Sequence, residues 1–252
     1  MTYVRLAALS LWLLLAFTGA IPAQEPDKPI TQLAAQWCRR APTIDGKLAE
    51  GEWAGATKAE TRLVLYGLPN VQPTKVLPTT VYVANDGASL YLALVIKGED
   101  YDAIWEANNV RVDAVAVRFD SDNDGRDSLG DDQKVVIAAN SIYLDQYRVK
   151  LDPPDDFADD PQRDGRGALK HSTEAREGDY TAELSIPLDT NTAEDFAAEP
   201  GGEVSFQILY VNAFGTQAGP AIGLVAASGT IQDALAGTLP NPWAKLKLAQ
   251  QP

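Results

Sequence analysis

Apolar and polar residues alternate with period two along most of this chain. The alternation is clearest in residues 180–187 and 203–213, and it is typical of β-strands that bury one face. The same pattern predicts strands at 61–66, 79–84, 89–97, 113–120, 133–139, 142–150 and 243–248. The apolar positions of the two clearest strands are Tyr180, Ala182, Leu184 and Ile186, followed by Val204, Phe206, Ile208 and Tyr210.

Turn-forming residues separate these segments, and Asn85-Asp86-Gly87 is a strong hairpin signal. Helical periodicity is limited to two short turns, predicted at 48–54 and 100–107. Residues 151–167 are polar and proline-rich, so we expect a long loop there. About ten short strands predict an all-β fold, an antiparallel two-sheet β-sandwich of jelly-roll-like form.

The first residues have the pattern of a secretory signal peptide. Arg5 precedes an apolar run to Ile21, and small and polar residues follow. We predict a signal peptide at 1–23, a tether at 24–40 and one β-sandwich domain at 41–252. Cleavage after Ala20 and an uncleaved anchor are the alternatives. The expected location is periplasmic, cell-surface or extracellular, with no membrane insertion once the signal is removed.

The chain is strongly acidic, with a formal charge of −14 from 21 basic and 35 acidic residues. Removing Arg5 with the signal takes away one positive charge and no negative one, which leaves −15. Such a surface repels nucleic acid and anionic lipid, so neutral molecules or cations are the expected partners. Cys38 is the only cysteine and excludes an intrachain disulfide.

A dense run of acidic residues follows the strand predicted at 113–120. Three aspartates stand at alternate positions and a glycine follows, as at the start of a calcium loop. With Asp120 as position one of such a loop, Arg126 falls at position seven, where a backbone carbonyl binds the ion, and Asp131 falls at position twelve. The predicted metal ligands are Asp120, Asp122, Asp124, Arg126 and Asp131, and calcium is the expected cofactor. The alternative is a solvated acidic turn, because Asn, Asp and Gly are common turn formers.

The order of several motifs resembles carbohydrate-binding module family 9, within the wider DOMON-like β-sandwich superfamily. The motifs are Pro42-Thr43-Ile44-Asp45-Gly46-Lys47-Leu48 with Glu52-Trp53, the strand at 89–95, the strand and acidic turn at 113–131, the segment 178–187, Pro200-Gly201-Gly202-Glu203, and residues 240–248. The resemblance covers about residues 41–250. It implies a β-sandwich with structural calcium that grips a sugar between aromatic side chains.

Trp105 is the best candidate for a sugar-stacking platform, because an aromatic face suits the apolar face of a pyranose. Asn108, Asn109 and Arg111 are close enough in sequence to bind the sugar hydroxyls. The alternative is that Trp105 covers one end of the sandwich. Trp53 matches the first motif of the family, and core packing is its expected role.

These features predict a secreted, non-catalytic carbohydrate-binding module with an oligo- or polysaccharide partner. A structural or adaptor domain that binds a protein at the cell envelope is the first alternative. Haem-based electron transfer is a weaker one, because Met1 leaves with the signal and the only histidine, His171, is expected to be exposed. Motifs of hydrolases, zinc enzymes and nucleotide-binding enzymes are absent from the sequence, so we expect no enzymatic activity.

Overall fold

The computed structural model describes residues 32–67, 72–101, 103–106, 109–124, 128–151, 157–174, 177–199, 201–213, 223–227 and 244–250. Within them, fifteen strands and one short 3-10 helix, Ala139–Ser141, form the regular structure. The strands are β1 (Gln32–Trp37), β2 (Thr57–Gly67), β3 (Gln72–Asn85), β4 (Ser89–Glu99), β5 (Ala103–Glu106), β6 (Asn109–Val112), β7 (Ala114–Asp120), β8 (Asp132–Ile137), β9 (Ile142–Arg148), β10 (Phe157–Asp159), β11 (Arg166–His171), β12 (Gly178–Pro187), β13 (Glu203–Ala213), β14 (Gly223–Ala227) and β15 (Ala244–Leu248).

The strands form two layers that β1 connects. Layer 1 contains β10, β9, β8, β7, β13 and β15 in that order, with β14 beside β13; layer 2 contains β3, β4, β12 and β11, with β2 beside β3. Residues 32–35 of β1 pair with β15, and residues 36–37 pair with β3, both in parallel. All other pairings are antiparallel among the described strands. The predicted all-β fold is confirmed. Its two layers are parts of one continuous, curled sheet, because β1 is hydrogen-bonded to a strand of each layer.

The core lies between the two layers. Tyr180 of β12 and Tyr210 of β13 face each other across it, with ring centroids 6.2 Å apart. The apolar positions predicted on these two strands are all buried, with at most 3% of each residue exposed. The alternating pattern therefore identified the inward faces correctly.

A second apolar cluster covers the outer face of layer 2. The segment 38–56 folds over this face and places Trp53 against Tyr91, Ala84 and Ala93. Trp53 is 7% exposed, as expected for a packing residue. Within the described residues, no helix is long and apolar enough to cross a membrane.

The structure differs from the sequence predictions in several places. Residues 103–106 form a strand instead of a helical turn, and residues 50–55 form successive tight turns. The described part of the predicted loop at 151–167 contains β10, and Asp160 after it is buried. Strand β1 lies inside the predicted tether, so the packed part of the chain begins before residue 41. The predicted signal peptide lies outside the described residues.

Candidate functional site

The Asp120 loop, residues 120–131, connects the end of β7 to the start of β8. The carboxylate oxygens of Asp120, Asp122 and Asp124 all lie within 4.8 Å of one another. The Asp124 backbone N–H donates to Asp120 Oδ1 at 3.1 Å and to Asp122 Oδ1 at 3.3 Å, which folds the loop tightly. Asp120 is buried, whereas Asp122 and Asp124 are exposed. The structure thus brings together three of the five predicted metal ligands.

Asp131 closes the loop from its other end. Its carboxylate accepts backbone N–H groups from Ser128 at 2.7 Å and from Ser121 at 3.3 Å. Burial raises the pKa of Asp131 to about 6 against these hydrogen bonds, and the nearby charge of Asp120 adds to the rise. Arg126, the remaining predicted ligand, lies outside the described residues.

The chemistry and spacing of the three aspartates suit a hard cation. Calcium is bound by oxygen ligands at about 2.3–2.6 Å, so two ligands on opposite sides of the ion are about 5 Å apart. Oxygens within 4.8 Å of one another fit that distance. The exposed carboxylates of Asp122 and Asp124 are accessible to an ion from solvent.

A second acidic cluster, the Lys134 cluster, lies in the interior at the start of β8, directly after the Asp120 loop in sequence. It consists of Asp132, Lys134, Asp145 and Asp195, all buried. Lys134 Nζ is 3.0 Å from Asp132 Oδ1 and also contacts Asp145 and Asp195. Its three carboxylates also have oxygens within 4.8 Å of one another, but an ammonium group lies among them. This cluster was not predicted from the sequence.

Charge is unevenly balanced in the Lys134 cluster. Burial alone would lower the pKa of Lys134, but Asp132 and Asp145 outweigh it and hold this pKa above its ordinary value. Burial raises the pKa of Asp132 to about 7 and that of Asp145 to about 6. The pKa of Asp195 is lowered despite burial, because Lys134, Thr190 and Thr192 donate hydrogen bonds to its carboxylate.

The predicted sugar-binding residues lie on the hairpin formed by β5 and β6. The pairing register places Trp105 opposite Val110, Arg111 opposite Ile104, and Asn109 opposite Glu106. Successive residues of a strand alternate between its two faces, so Trp105 belongs to one face of the hairpin and Asn109 and Arg111 belong to the other. Asn108 lies outside the described residues. The grouping of these residues in one sugar site stays a prediction.

His171 lies near the start of this hairpin and is buried, so its expected exposure was wrong. Its Nε2 is 2.9 Å from the Glu99 carbonyl oxygen, and its Nδ1 accepts backbone N–H groups from Thr173 and Glu174. The ring also packs against Tyr101 and Tyr180, with centroids 5.4 and 4.7 Å away. Both ring nitrogens are therefore engaged within the fold, which disfavours the haem-ligand alternative.

Two motifs of the family resemblance meet at Glu183 on β12. Its Oε2 accepts the backbone N–H groups of Asp45, Gly46 and Lys47 at 2.9, 2.7 and 3.2 Å, and its Oε1 accepts the Trp53 indole N–H at 2.9 Å. A buried carboxylate needs such donors. The motifs therefore fix the segment 38–56 on layer 2. Cys38 packs in the same cluster, and burial raises the pKa of its thiol.

Similar folds occur in sugar-binding modules of known structure. A carbohydrate binding module family 9 from Caldicellulosiruptor kristjanssonii in complex with cellotriose has a TM-score of 0.52 and 13% identity, covering 88% of this chain and 95% of that chain. A carbohydrate binding module family 9 from the same organism in complex with glucose has a TM-score of 0.52 and 12% identity, covering 88% of this chain and 97% of that chain. A candidate carbohydrate-binding protein from Bacteroides uniformis has a TM-score of 0.53 and 10% identity, covering 86% and 99%. At such identities the likeness concerns the fold.

The sequence comparison identifies the family. No curated protein matched the chain. The family described as carbohydrate family 9 binding domain-like matches residues 44–233, more than half of the sequence. That range includes the Glu183 contacts, the β5–β6 hairpin and the Asp120 loop. The chain belongs to the carbohydrate family 9 binding domain-like family.

Proposed function

We propose that this protein is an exported, non-catalytic carbohydrate-binding module that holds one structural calcium ion in the Asp120 loop. The family match over residues 44–233 carries the carbohydrate-binding part of the proposal. Glucose and cellotriose are the first ligands to test, because similar folds have been solved with these sugars. The apolar signal at 1–23 supports export. Periplasmic, cell-surface and extracellular locations all agree with it.

The β5–β6 hairpin is the proposed sugar-binding element. Trp105 supplies the stacking surface, and Asn108, Asn109 and Arg111 are the candidate hydrogen-bonding residues. Since the register separates Trp105 from Asn109 and Arg111, single variants will distinguish which face of the hairpin binds. If stacking dominates, Trp105→Ala lowers affinity strongly and Arg111→Ala lowers it little.

Calorimetric titration of the mature, calcium-loaded protein with cellotriose tests this proposal. We expect binding that Trp105→Ala reduces at least tenfold, consistent with about 1.4 kcal/mol of lost stacking. Trp37→Ala, which removes a partly exposed tryptophan of β1, is the matched control. Absence of binding to glucose, cellotriose and a wider sugar panel would favour the adaptor alternative. Equal losses of cellotriose affinity in Trp105→Ala and Trp37→Ala would mean that the sugar does not bind at the hairpin.

The calcium part rests on the convergence of Asp120, Asp122 and Asp124. Calcium would offset the repulsion among these carboxylates and tie the end of β7 to the loop that follows. An ion that binds only the folded state raises the melting temperature by mass action. Thermal unfolding in EDTA and then in millimolar calcium measures this increment, and equilibrium dialysis gives the number of ions. An unchanged melting temperature would favour the solvated-turn alternative.

A further inference from the structure

A polar cleft of about 650 Å³ opens beside β11, an edge strand of layer 2. Lys170 of β11 pairs with Thr181 of β12, and both belong to the outer face because their neighbours Leu169 and Tyr180 are buried in the core. Lys47 borders the cleft from the turn held by Glu183, and the segment 172–174 borders it from the end of β11. The volume falls within the usual range of about 300–1,000 Å³ for small-molecule sites.

The cleft is cationic in an otherwise acidic protein. Other lysines, such as Lys58, Lys75 and Lys97, pair with carboxylates in this chain of 35 acidic and 21 basic residues. Among the described residues, Lys47 and Lys170 form no ion pair, although both line the same cleft. Glu174 is the only acidic side chain lining it within the described part of the chain. Two lysines and one glutamate therefore line the cleft.

The walls of the cleft are held in place by contacts beneath them. Glu183 accepts the backbone N–H groups of the turn that carries Lys47. Gly46 in this turn has a φ of +79°, and a Cβ there would come within 2.7 Å of Lys170 Cγ, so the lysine stem packs directly against the glycine. On the opposite wall, His171 Nδ1 accepts the Thr173 and Glu174 N–H groups. Walls fixed before binding reduce the ordering entropy that a ligand must overcome.

We propose that this cleft binds the carboxylate of an acidic sugar, such as a uronic acid residue. The ammonium groups of Lys47 and Lys170 would bind the carboxylate through charge-assisted hydrogen bonds. The hydroxyls of Ser172, Thr173 and Thr181 line the same cleft and suit sugar hydroxyl groups. The choice of a sugar as the carrier of the carboxylate rests on the proposed function. The anion preference rests on the two lysines alone.

Calorimetric titration of the mature, calcium-loaded protein with glucuronate, and in parallel with glucose and cellotriose, tests this inference. We expect glucuronate to bind and expect Lys47→Gln or Lys170→Gln to weaken it about tenfold, the effect of losing a hydrogen bond to a charged group. Lys170→Arg, which keeps the charge, should retain most of the affinity. Lys150→Gln, an exposed lysine after β9 in layer 1, is the matched control and should change nothing. Cellotriose binding should be the same in all four variants.

The outcomes separate this inference from the proposed function. If cellotriose binds and glucuronate does not, the inference is overturned and the proposed function stands. If glucuronate binds through the two lysines and neither neutral sugar binds, the inference stands and the neutral-sugar function fails. Equal weakening by Lys150→Gln would show general charge attraction and overturn the inference. Melting curves of each variant verify that every comparison is made on folded protein.

Discussion

The Asp120 loop and the Lys134 cluster both hold three aspartates close together, and they differ in how the repulsion among the carboxylates is reduced. Each brings three aspartates together, with carboxylate oxygens within 4.8 Å of one another. In the interior, Lys134 supplies the compensating positive charge, and both it and its partners are almost completely buried. At the surface, Asp122 and Asp124 are open to solvent, and the Asp124 backbone N–H donates to the carboxylates of Asp120 and Asp122.

The difference follows from access to water. A buried carboxylate without compensation loses several kcal/mol of hydration, so an interior cluster needs a cation that is part of the fold. In the Asp120 loop, Asp122 and Asp124 retain their hydration, so the loop can remain folded without an ion and recruit one from solution. We therefore expect the two sites to respond oppositely to mutation and to metal. The Lys134 cluster should control stability under all conditions, and the Asp120 loop should control only the response to calcium.

Removing the internal cation should give the largest effect. Lys134→Met leaves three buried carboxylates with uncompensated charge, and losing one partner of a buried ion pair typically costs about 3–5 kcal/mol. Urea unfolding in EDTA measures the change in the free energy of unfolding. Lys150→Met, at an exposed position, should stay within about 0.5 kcal/mol of the wild type.

If Lys134→Met fails to fold, a variant in which the whole cluster is neutral still tests this prediction. Lys134→Met combined with Asp132→Asn, Asp145→Asn and Asp195→Asn removes all four charges together, so it should recover part of the lost stability. A Lys134→Met protein within about 1 kcal/mol of the wild type would mean that the cluster contributes little, and the contrast with the loop would disappear.

Neutralising the exposed site should abolish the calcium response. With free calcium at a hundred times its Kd, binding to the wild type should add about 2.7 kcal/mol to the free energy of unfolding. Asp122→Asn/Asp124→Asn should lose this increment and be no less stable than the wild type in EDTA, because the repulsion is gone. Glu50→Gln/Glu199→Gln removes two exposed charges elsewhere and should keep the increment. A persistent increment in the aspartate variant would place calcium at another site.

The sequence predicted the first of these sites and missed the second for a physical reason. Asp120, Asp122 and Asp124 are neighbours in sequence, so their spacing alone indicates a common loop. The Lys134 cluster forms through tertiary contacts: Asp145 faces Lys134 across the β8–β9 ladder, and Asp195 lies sixty-one residues beyond Lys134. The one local indication of the Lys134 cluster was that Asp132 and Lys134 occupy the same face of β8 as the apolar residue Val136, which is buried.

The same distinction applies to the rest of the fold. Nine strands were predicted because two-residue alternation is a local signal, and the inward faces of β12 and β13 were correct. The burial of His171 was missed because its contacts with Glu99 and Tyr101 come from β4 and the segment after it. The role of Glu183 was likewise hidden, since its donors Gly46 and Trp53 lie more than a hundred residues away.

Asp145 should give the interior cluster a distinct pH dependence. Burial raises its pKa from 3.8 to about 6, so the folded state holds its proton more tightly than the unfolded state. The resulting stability is complete below pH 3.8 and is lost as the pH rises through about 6. Asp145→Asn should therefore show a shallower decline of the free energy of unfolding over that window. Parallel pH curves for the two proteins, measured by urea unfolding in EDTA, would contradict the prediction.

The smallest expected difference between the two sites is in how the free energy of unfolding depends on salt. Raising the ionic strength from about 0.01 to 0.15 M shortens the screening length from about 30 to 8 Å, which weakens repulsion between exposed charges and leaves buried ones almost unchanged. In EDTA, the wild type should gain about 0.2–1 kcal/mol relative to Asp122→Asn/Asp124→Asn, and Lys134→Met should respond to salt as the wild type does. Urea unfolding at the two ionic strengths measures this. An identical salt response in the loop variant would mean that backbone N–H groups already neutralise the carboxylates. The loop would then need no ion, and the parallel with the Lys134 cluster would fail.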